Sequence, residues 1–324
     1  MSFTLSHSVL KLGITDDSDS ALAIDLLPIS LPIYTTKSGL QIPAAFAELQ
    51  SDNKLDRIIK LLKPVIEKTL ADGKIDVNTT PIFWLLPELA IEDNQQLIEW
   101  AGQLKTHFPA LFGHAKTQFF PFGSSSIVMA FSAMQTLIAS TDITQVCFIA
   151  VDSYFHDIDD LLKTNACITP ETGRGMTPSE GVALTCISAS AQGINIEHAK
   201  SDRATEWQLN KSVDALLYAM ANHLKTKRDN PLINQFYTPS NGLDNTSTAW
   251  IEAYGRLAGH VAQSTQVKQM AMLTGDTGCV SGLYHFMHIY HAYQHGYITG
   301  NTLQLTISDR LYQAVNLYSW TGKD

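Results

Sequence analysis

Between Lys116 and Asp142 the chain carries no charged side chain. Within that span, Gln118-Phe119-Phe120-Pro121-Phe122-Gly123 ends an apolar run, Ser124-Ser125-Ser126 follows, and Ile127 to Met134 resumes it. This order predicts a buried strand, a sharp turn, and a helix starting near Ser124. Serine hydroxyls suit a helix start because they accept hydrogen bonds from the free N–H groups of the first turn. Such a turn aims exposed donors and the positive end of the helix dipole at whatever lies in front of it. Pro121, Gly123, the serines and Gln135 interrupt the run, so it never offers the roughly 20 apolar residues of a membrane span. A helix apolar all round in a soluble chain is a core helix, and that is the expectation here.

The remaining composition agrees with a large folded core. Of 324 residues, 45% are hydrophobic and 16% charged, enough for one large domain or two packed halves. The formal net charge of -9 and the absence of a basic block argue against a nucleic-acid surface. An acidic carrier protein could still dock on a local basic patch. Cys147, Cys167, Cys186 and Cys279 form no C-x-x-C pair and read as free thiols of a cytoplasmic protein. The N-terminus shows no basic region followed by an apolar one, so no signal peptide is expected.

Along the chain, residues 21–34 are expected as one or two short strands broken by Pro28 and Pro32. Leu55, Ile58, Ile59, Leu62, Val65, Ile66 and Leu70 recur at helical spacing, with Pro64 expected to kink or divide the helix and Gly73 to stop it. Residues 80–86 and 145–151 read as buried strands and 97–108 as an amphipathic helix. The polar stretch 152–178 is long for a structureless loop, so it is expected to be functional or a contact surface. Strands follow at 181–188, 193–197, 232–237 and 267–273, helices at 211–224, 248–262 and 278–295. A hairpin of 303–307 and 311–319 closes the chain. Alternating strands and helices predict an α/β fold with parallel sheets covered on both faces. The similar order in each half suggests a structural duplication, divided as 1–199 and 200–324.

Four segments, taken in order, resemble the β-ketoacyl synthase family. Phe122-Gly123-Ser124-Ser125-Ser126 resembles its nucleophile segment, in which a cysteine precedes small residues and an apolar helix. Gly173-Arg174-Gly175-Met176-Thr177-Pro178-Ser179-Glu180-Gly181 resembles its G-F-x-x-G-E-G stretch. Asn234-Gln235-Phe236-Tyr237-Thr238-Pro239-Ser240-Asn241-Gly242-Leu243-Asp244 resembles N-A-H-G-T-x-T-x-x-x-D. Val267-Lys268 and Leu273-Thr274-Gly275-Asp276-Thr277 resemble its lysine strand and following G-H segment. The resemblance implies a thiolase-like fold of two similar halves in layered αβαβα architecture.

It also implies what is missing. By this correspondence the cysteine position holds Gly123, the first histidine position Phe236, and the second Asp276. Glycine has nothing to acylate, phenylalanine cannot hydrogen-bond, and an anionic aspartate cannot polarise a thioester carbonyl. The closing hairpin reads Ser308-Asp309-Arg310 where a ketosynthase usually has a glycine-rich turn. The pattern resembles chain-length factors, which pair with an active ketosynthase subunit in type II fatty-acid, polyketide or aryl-polyene systems. The resemblance thus implies an active ketosynthase as partner, acyl carrier protein as a possible second one, no cofactor, and no ketosynthase chemistry of its own. Ser124, Ser125, Thr238 and Thr277 remain as candidate substrate contacts. Subunits of this fold commonly pair through edge strands beside the nucleophile helix, and residues 145–151 are expected to be that edge.

Other readings stand beside these. The chain could be an active acyltransferase or hydrolase on the same fold, using one of Ser124–Ser126 or Asp276, although no G-x-S-x-G elbow is present. The chain could also be a self-associating scaffold. Cys279 near a helix start could be reactive, but its small neighbours point to close packing. Glu180 could act as an acid or base, but its family match points to a structural contact. Gly173-x-Gly175 opens a strand, so it reads as a turn and not a phosphate loop. His285, His288, His291 and His295 fall on one third of a helix, expected to be a polar solvent or subunit face. A zinc site there lacks companion ligands nearby in sequence.

Overall fold

The computed structural model describes residues 1–26, 30–89, 94–228 and 231–322. Ten strands form one sheet: β1 (Ser2–Leu12), β2 (Ile82–Leu85), β3 (Gln118–Phe120), β4 (Gln145–Ser153), β5 (Glu180–Ser190), β6 (Gly193–Arg203), β7 (Ile233–Tyr237), β8 (Val261–Lys268), β9 (Asn301–Ile307) and β10 (Tyr312–Thr321). Their order is 8-7-9-10-6-1-5-4-2-3. Read outward from the centre, the two halves run 1-5-4-2-3 and 6-10-9-7-8, the same path. In each half, strands two, three and four of the repeat run parallel, and the fifth runs antiparallel to both of its neighbours, the fourth and the first. Within the described part of the sheet, the ladder between the halves pairs Ser2 and Phe3 of β1 with Asn195 and Ile194 of β6.

Among the described residues, six longer helices complete the layers: α1 (Lys54–Ala71), α2 (Gln95–His107), α3 (Ser126–Ser140), α4 (Leu209–Lys225), α5 (Asp244–Ala253) and α6 (Val280–Gln294). Alternation along the strands sorts their side chains between layers. Phe83 and Leu85 of β2, and Val146, Phe148 and Ala150 of β4, point to a central core shared with α3 and α6. Trp84 of β2, and Cys147, Ile149 and Val151 of β4, point to an outer core under α1 and α2. A second outer core lies under α4 and α5. The sequence α1/α2, sheet, α3/α6, sheet, α4/α5 is the five-layer α/β arrangement expected.

Several local expectations change. α1 runs unbroken through Pro64, which lies on its solvent side. There water can take the carbonyl that the proline leaves without an N–H. The 21–34 stretch is helical at Ser18–Leu22 and Ile24–Leu26, with a short strand at Ile33–Thr35. Pro28 lies outside the described residues. β8 starts six residues before the expected strand; as an outer strand it needs few apolar side chains, and most of its residues are half-buried or exposed. Residues 152–178 hold the end of β4, a helix at Ile158–Lys163 and a bridge between Cys167 and Met176. β1 has a mixed burial pattern and no clear sequence period.

The expected edge strand is also corrected. β4 lies between β2 and β5, hydrogen-bonded on both sides. Its apolar residues face helices on both sides, which is the mark of an interior strand. The free edge of this half is β3. The uncharged helix α3 is not enclosed all round either. Ser132, Thr136, Ala139 and Ser140 are exposed, and Met129, Ala133 and Gln135 are half-buried. Ala130 is fully buried in the central core. Replacing Ala130 with Leu should overpack that core, lowering stability by about 1–3 kcal/mol. Ala133→Leu should cost less, because its side chain can turn outward. Urea denaturation of the two variants checks this order.

Candidate functional site

The turn between β3 and α3 carries the central feature. Gly123 has φ +60°, and its N–H donates to Leu86 O at 3.1 Å. A short 3-10 turn, Gly123–Ser125, leads into α3. Ser126 closes the entry: its Oγ accepts from Phe122 N (3.1 Å) and donates to Phe120 O (2.7 Å). The hydroxyl of Ser125 is tied to the β9–β10 hairpin, at 3.1 Å from Thr306 Oγ1 and 3.0 Å from Tyr312 O. The three serines therefore do the capping and wiring of the turn. Among the described residues, no imidazole or carboxylate hydrogen-bonds to any of them.

In front of the turn lies a small cavity of mixed polar and apolar lining, about 40 Å³, enough for one or two water molecules. Gly123, Ser124, Thr238, Asn241, Asp276, His285 and Asp309 are among its lining residues. The structure thus brings Gly123, Asp276, Ser124 and Thr238 together. Ser125 and Thr277 are buried and do not line the cavity. Phe236 is not brought to it. Side chains alternate along β7, so Phe236 faces the outer core against Trp250 and Tyr254. Its neighbour Tyr237 faces inward instead.

Asp276 accepts from Asn241 Nδ2 (2.7 Å) and from Gly278 N (2.8 Å). Burial nevertheless pushes its carboxyl above the ordinary range, and Asp152 adds to this. Asp152 is held by Cys279 N (3.0 Å) and Lys54 Nζ (3.2 Å). Burial works against the Lys54 charge, but Asp152 and Asp157 outweigh it and keep the ammonium protonated. Asp309 takes the hydroxyl of Tyr154 at 2.9 and 3.0 Å. Its carboxyl is pushed up to about 7, by desolvation first and then by Asp276 and Asp152. Because the residue as a whole is exposed, solvent screens part of that effect.

Other candidates resolve into structural roles. Glu180 is nearly inaccessible and pairs with the fully buried Arg57 through two bonds of 2.6 and 2.8 Å. Cys279 donates its S–H to Val151 O (3.2 Å) and Leu85 O (3.4 Å), and burial raises its thiol well above the usual range. A buried thiol so held is inert. The histidine face of α6 is corrected: His285 and His288 are buried, and only His295 is exposed. His288 bridges Tyr237 Oη (2.8 Å) and Asp25 Oδ1 (3.1 Å), and Asp25 also takes Lys268 Nζ (2.8 Å). The bond to His288, then Lys268, holds Asp25 below the usual carboxylate range despite burial. His285 lines the cavity with Nδ1 unpartnered, and burial lowers its pKa to about 3. It is a neutral imidazole. A signal existed for this burial: no Asp, Glu, Lys or Arg occurs between Asp276 and Asp309. No three acidic, histidine or cysteine side chains among the described residues lie close enough to hold a metal.

No protein-family model matches the chain, and neither does any curated protein. Solved structures do. The ishigamide ketosynthase/chain length factor aligns with TM-score 0.71 and 13% identity, over 99% of this chain and 100% of that one. The ketosynthase ApeO in complex with its chain length factor ApeC, from Xenorhabdus doucetiae, aligns with TM-score 0.70 and 10% identity, over 99% and 98%. A variant of OleA from Xanthomonas campestris gives TM-score 0.57 and 13% identity over 99% and 98%. At these identities the likeness shows the fold: this chain has the thiolase-like fold of ketosynthases and chain length factors.

The acidic cluster gives a pH test. A raised carboxyl favours its protonated form in the folded state. The stability from Asp309 is therefore complete below about pH 4, the ordinary aspartate value, and is lost as pH rises towards about 7. Asp309→Asn should be close to neutral at acid pH. It should raise the melting temperature relative to the parent above neutrality, as read by thermal scans across pH.

Proposed function

We propose that this chain is the non-catalytic, chain-length-factor-like partner of an active ketosynthase. Its place would be a cytoplasmic type II fatty-acid or polyketide system, aryl-polyene systems included. The observation that carries the reading is Gly123. The fold, the turn and the helix of the nucleophile site are kept, while the position that would carry the attacking side chain has none. Asp276 lines the same cavity, and no described serine or cysteine at the site is paired with a base. The structural neighbours support the reading, since two of those matched contain a ketosynthase with its chain length factor. A further match is a type II acyl-carrier protein in complex with its ketosynthase, which supports a carrier protein as second partner.

The cavity bears on how such a subunit would act. At about 40 Å³ it is far below the roughly 300–1,000 Å³ of ordinary ligand sites. An acyl chain would therefore be held by the partner, with this subunit supplying a wall. The wall we assign is the free edge β3 and the outer face of α3. That face is partly exposed and lacks charge from residue 117 to 141, as suits a surface covered on assembly. We also read the two strand repeats as a duplicated unit. β6 passes through residue 199, so we place the division in the turn before Gly193 and not at 199/200.

The isolated chain should not condense malonyl and acyl thioesters. Co-expressed with the ketosynthase of its own system, it should elute with it as a heterodimer. A chain that stays monomeric or pairs only with itself in that ketosynthase's presence sinks the reading and favours the scaffold. Radiolabelled condensation or acyl hydrolysis by the pure chain favours an enzyme. Ser132→Arg with Thr136→Arg should disrupt the pair, by size-exclusion chromatography, while leaving the melting temperature of the isolated subunit nearly unchanged, because both positions are exposed.

A further inference from the structure

The turn at Gly123 is filled. A Cβ placed on Gly123 would lie 2.9 Å from both Cβ and Oγ of Ser308, and 3.3 Å from Cγ of Glu88. Ser308 is not free to move aside. Its Oγ donates to Phe122 O at 2.6 Å, accepts from Ser125 N at 3.1 Å, and sits 3.5 Å from Ser124 Oγ. Its own N–H bonds to Tyr312 O at 2.8 Å. Glu88 Oε1 clamps the same hairpin turn by accepting from Leu311 N (3.1 Å) and Tyr312 N (3.2 Å). Ser308 is buried, although its two successors on the turn are exposed.

We propose that Ser308 is a built-in occupant of the nucleophile position. Its hydroxymethyl group takes the volume that a side chain at position 123 would need. Its hydroxyl takes the Ser125 N–H, a donor at the helix entry that would otherwise face an incoming ligand or a developing negative charge. Loss of chemistry at this site is therefore shared between two distant positions. Returning a side chain at 123 alone meets a wall, whatever other residues are restored. The inference rests on placing the family's nucleophile turn at Gly123, but not on the choice of partner.

A steric double-mutant cycle on the full chain tests it: Gly123→Cys, Ser308→Gly, and the two combined, with Gly123→Cys/Ser308→Ala as control. Backbone strain at φ +60° burdens every variant with a side chain at 123 equally, so it cancels in the comparison. The Gly123→Cys chain should melt well below the parent. Adding Ser308→Gly should raise its melting temperature, although Ser308→Gly alone lowers that of the parent. Adding Ser308→Ala should not restore it, because the Cβ that causes half of the collision remains.

A second readout uses the new thiol. Iodoacetamide joins its CH2 carbon to the thiolate sulfur, iodide leaves, and the thiol proton goes to buffer. All four native cysteines are buried, so the parent sets a low background. The thiol at 123 should be alkylated about tenfold faster in the Ser308→Gly background than in the Ser308 one. Additive melting shifts, equal alkylation rates, or failure of both the single and the combined variant to fold would overturn the proposal. Because every readout uses the isolated chain, its failure leaves the pairing with a ketosynthase to be judged by its own experiment.

Discussion

The rest of the structure depends on how closely α6 approaches the entry of α3. At Gly282 a Cβ would lie 2.3 Å from the carbonyl oxygen of Ser124, so only glycine allows the two backbones to meet. Gln304 Nε2 from β9 then binds the Gly282 carbonyl at 2.9 Å, tying the helix to the second half of the sheet. This contact sets the spacing of the central layer. Both sheet halves pack on it, and the small cavity is the space left where the Gly123 turn, the residues following β7 and the start of α6 converge. A larger residue at position 282 would separate the halves.

Buried polar groups are handled locally around that layer. Arg57 and Glu180 pair out of water and use their remaining capacity on the Ala47 and Leu49 carbonyls, Ala47 N and the Ser153 hydroxyl. Such a pair contributes little net stability against an apolar alternative, but breaking it leaves an uncompensated charge. It therefore fixes how the 47–57 segment lies on β5. On the opposite side of the central layer, the Tyr237–His288–Asp25–Lys268 chain ties the N-terminal segment to α6 and to the end of β8. The lysine that resembles a family feature is thus spent on a structural ion pair. Around the cavity, Asp152, Asp276 and Asp309 oppose one another with Lys54 as the nearby cation. Mutually repelling carboxyls do not suit the binding of an anionic intermediate.

Much was legible in the sequence alone. The strand, turn and helix around Gly123 follow from one uncharged run with a glycine and serines in the middle. The alternating order of elements determined the α/β class, and the absence of a side chain at Gly123 excluded a nucleophile there. Other features depended on which side of an element faced which layer, and periodicity is silent on that when both layers are apolar. β4 has apolar residues on both faces, a pattern equally compatible with an edge awaiting a partner and with an interior strand; pairing on both sides makes it interior. Phe236 and Tyr237 are adjacent aromatics, and only the pleat decided that the first faces the outer core and the second the centre. His285 and His288 looked like a polar face until the sheet covered them. β1 carries a mixed pattern because its middle is only half-buried, so it gave no clear period. Ser308 could be noticed as a departure from a glycine-rich turn, but not as an occupant. It meets Ser125 across 183 positions of sequence, and only closure of the hairpin over the turn brings the two together.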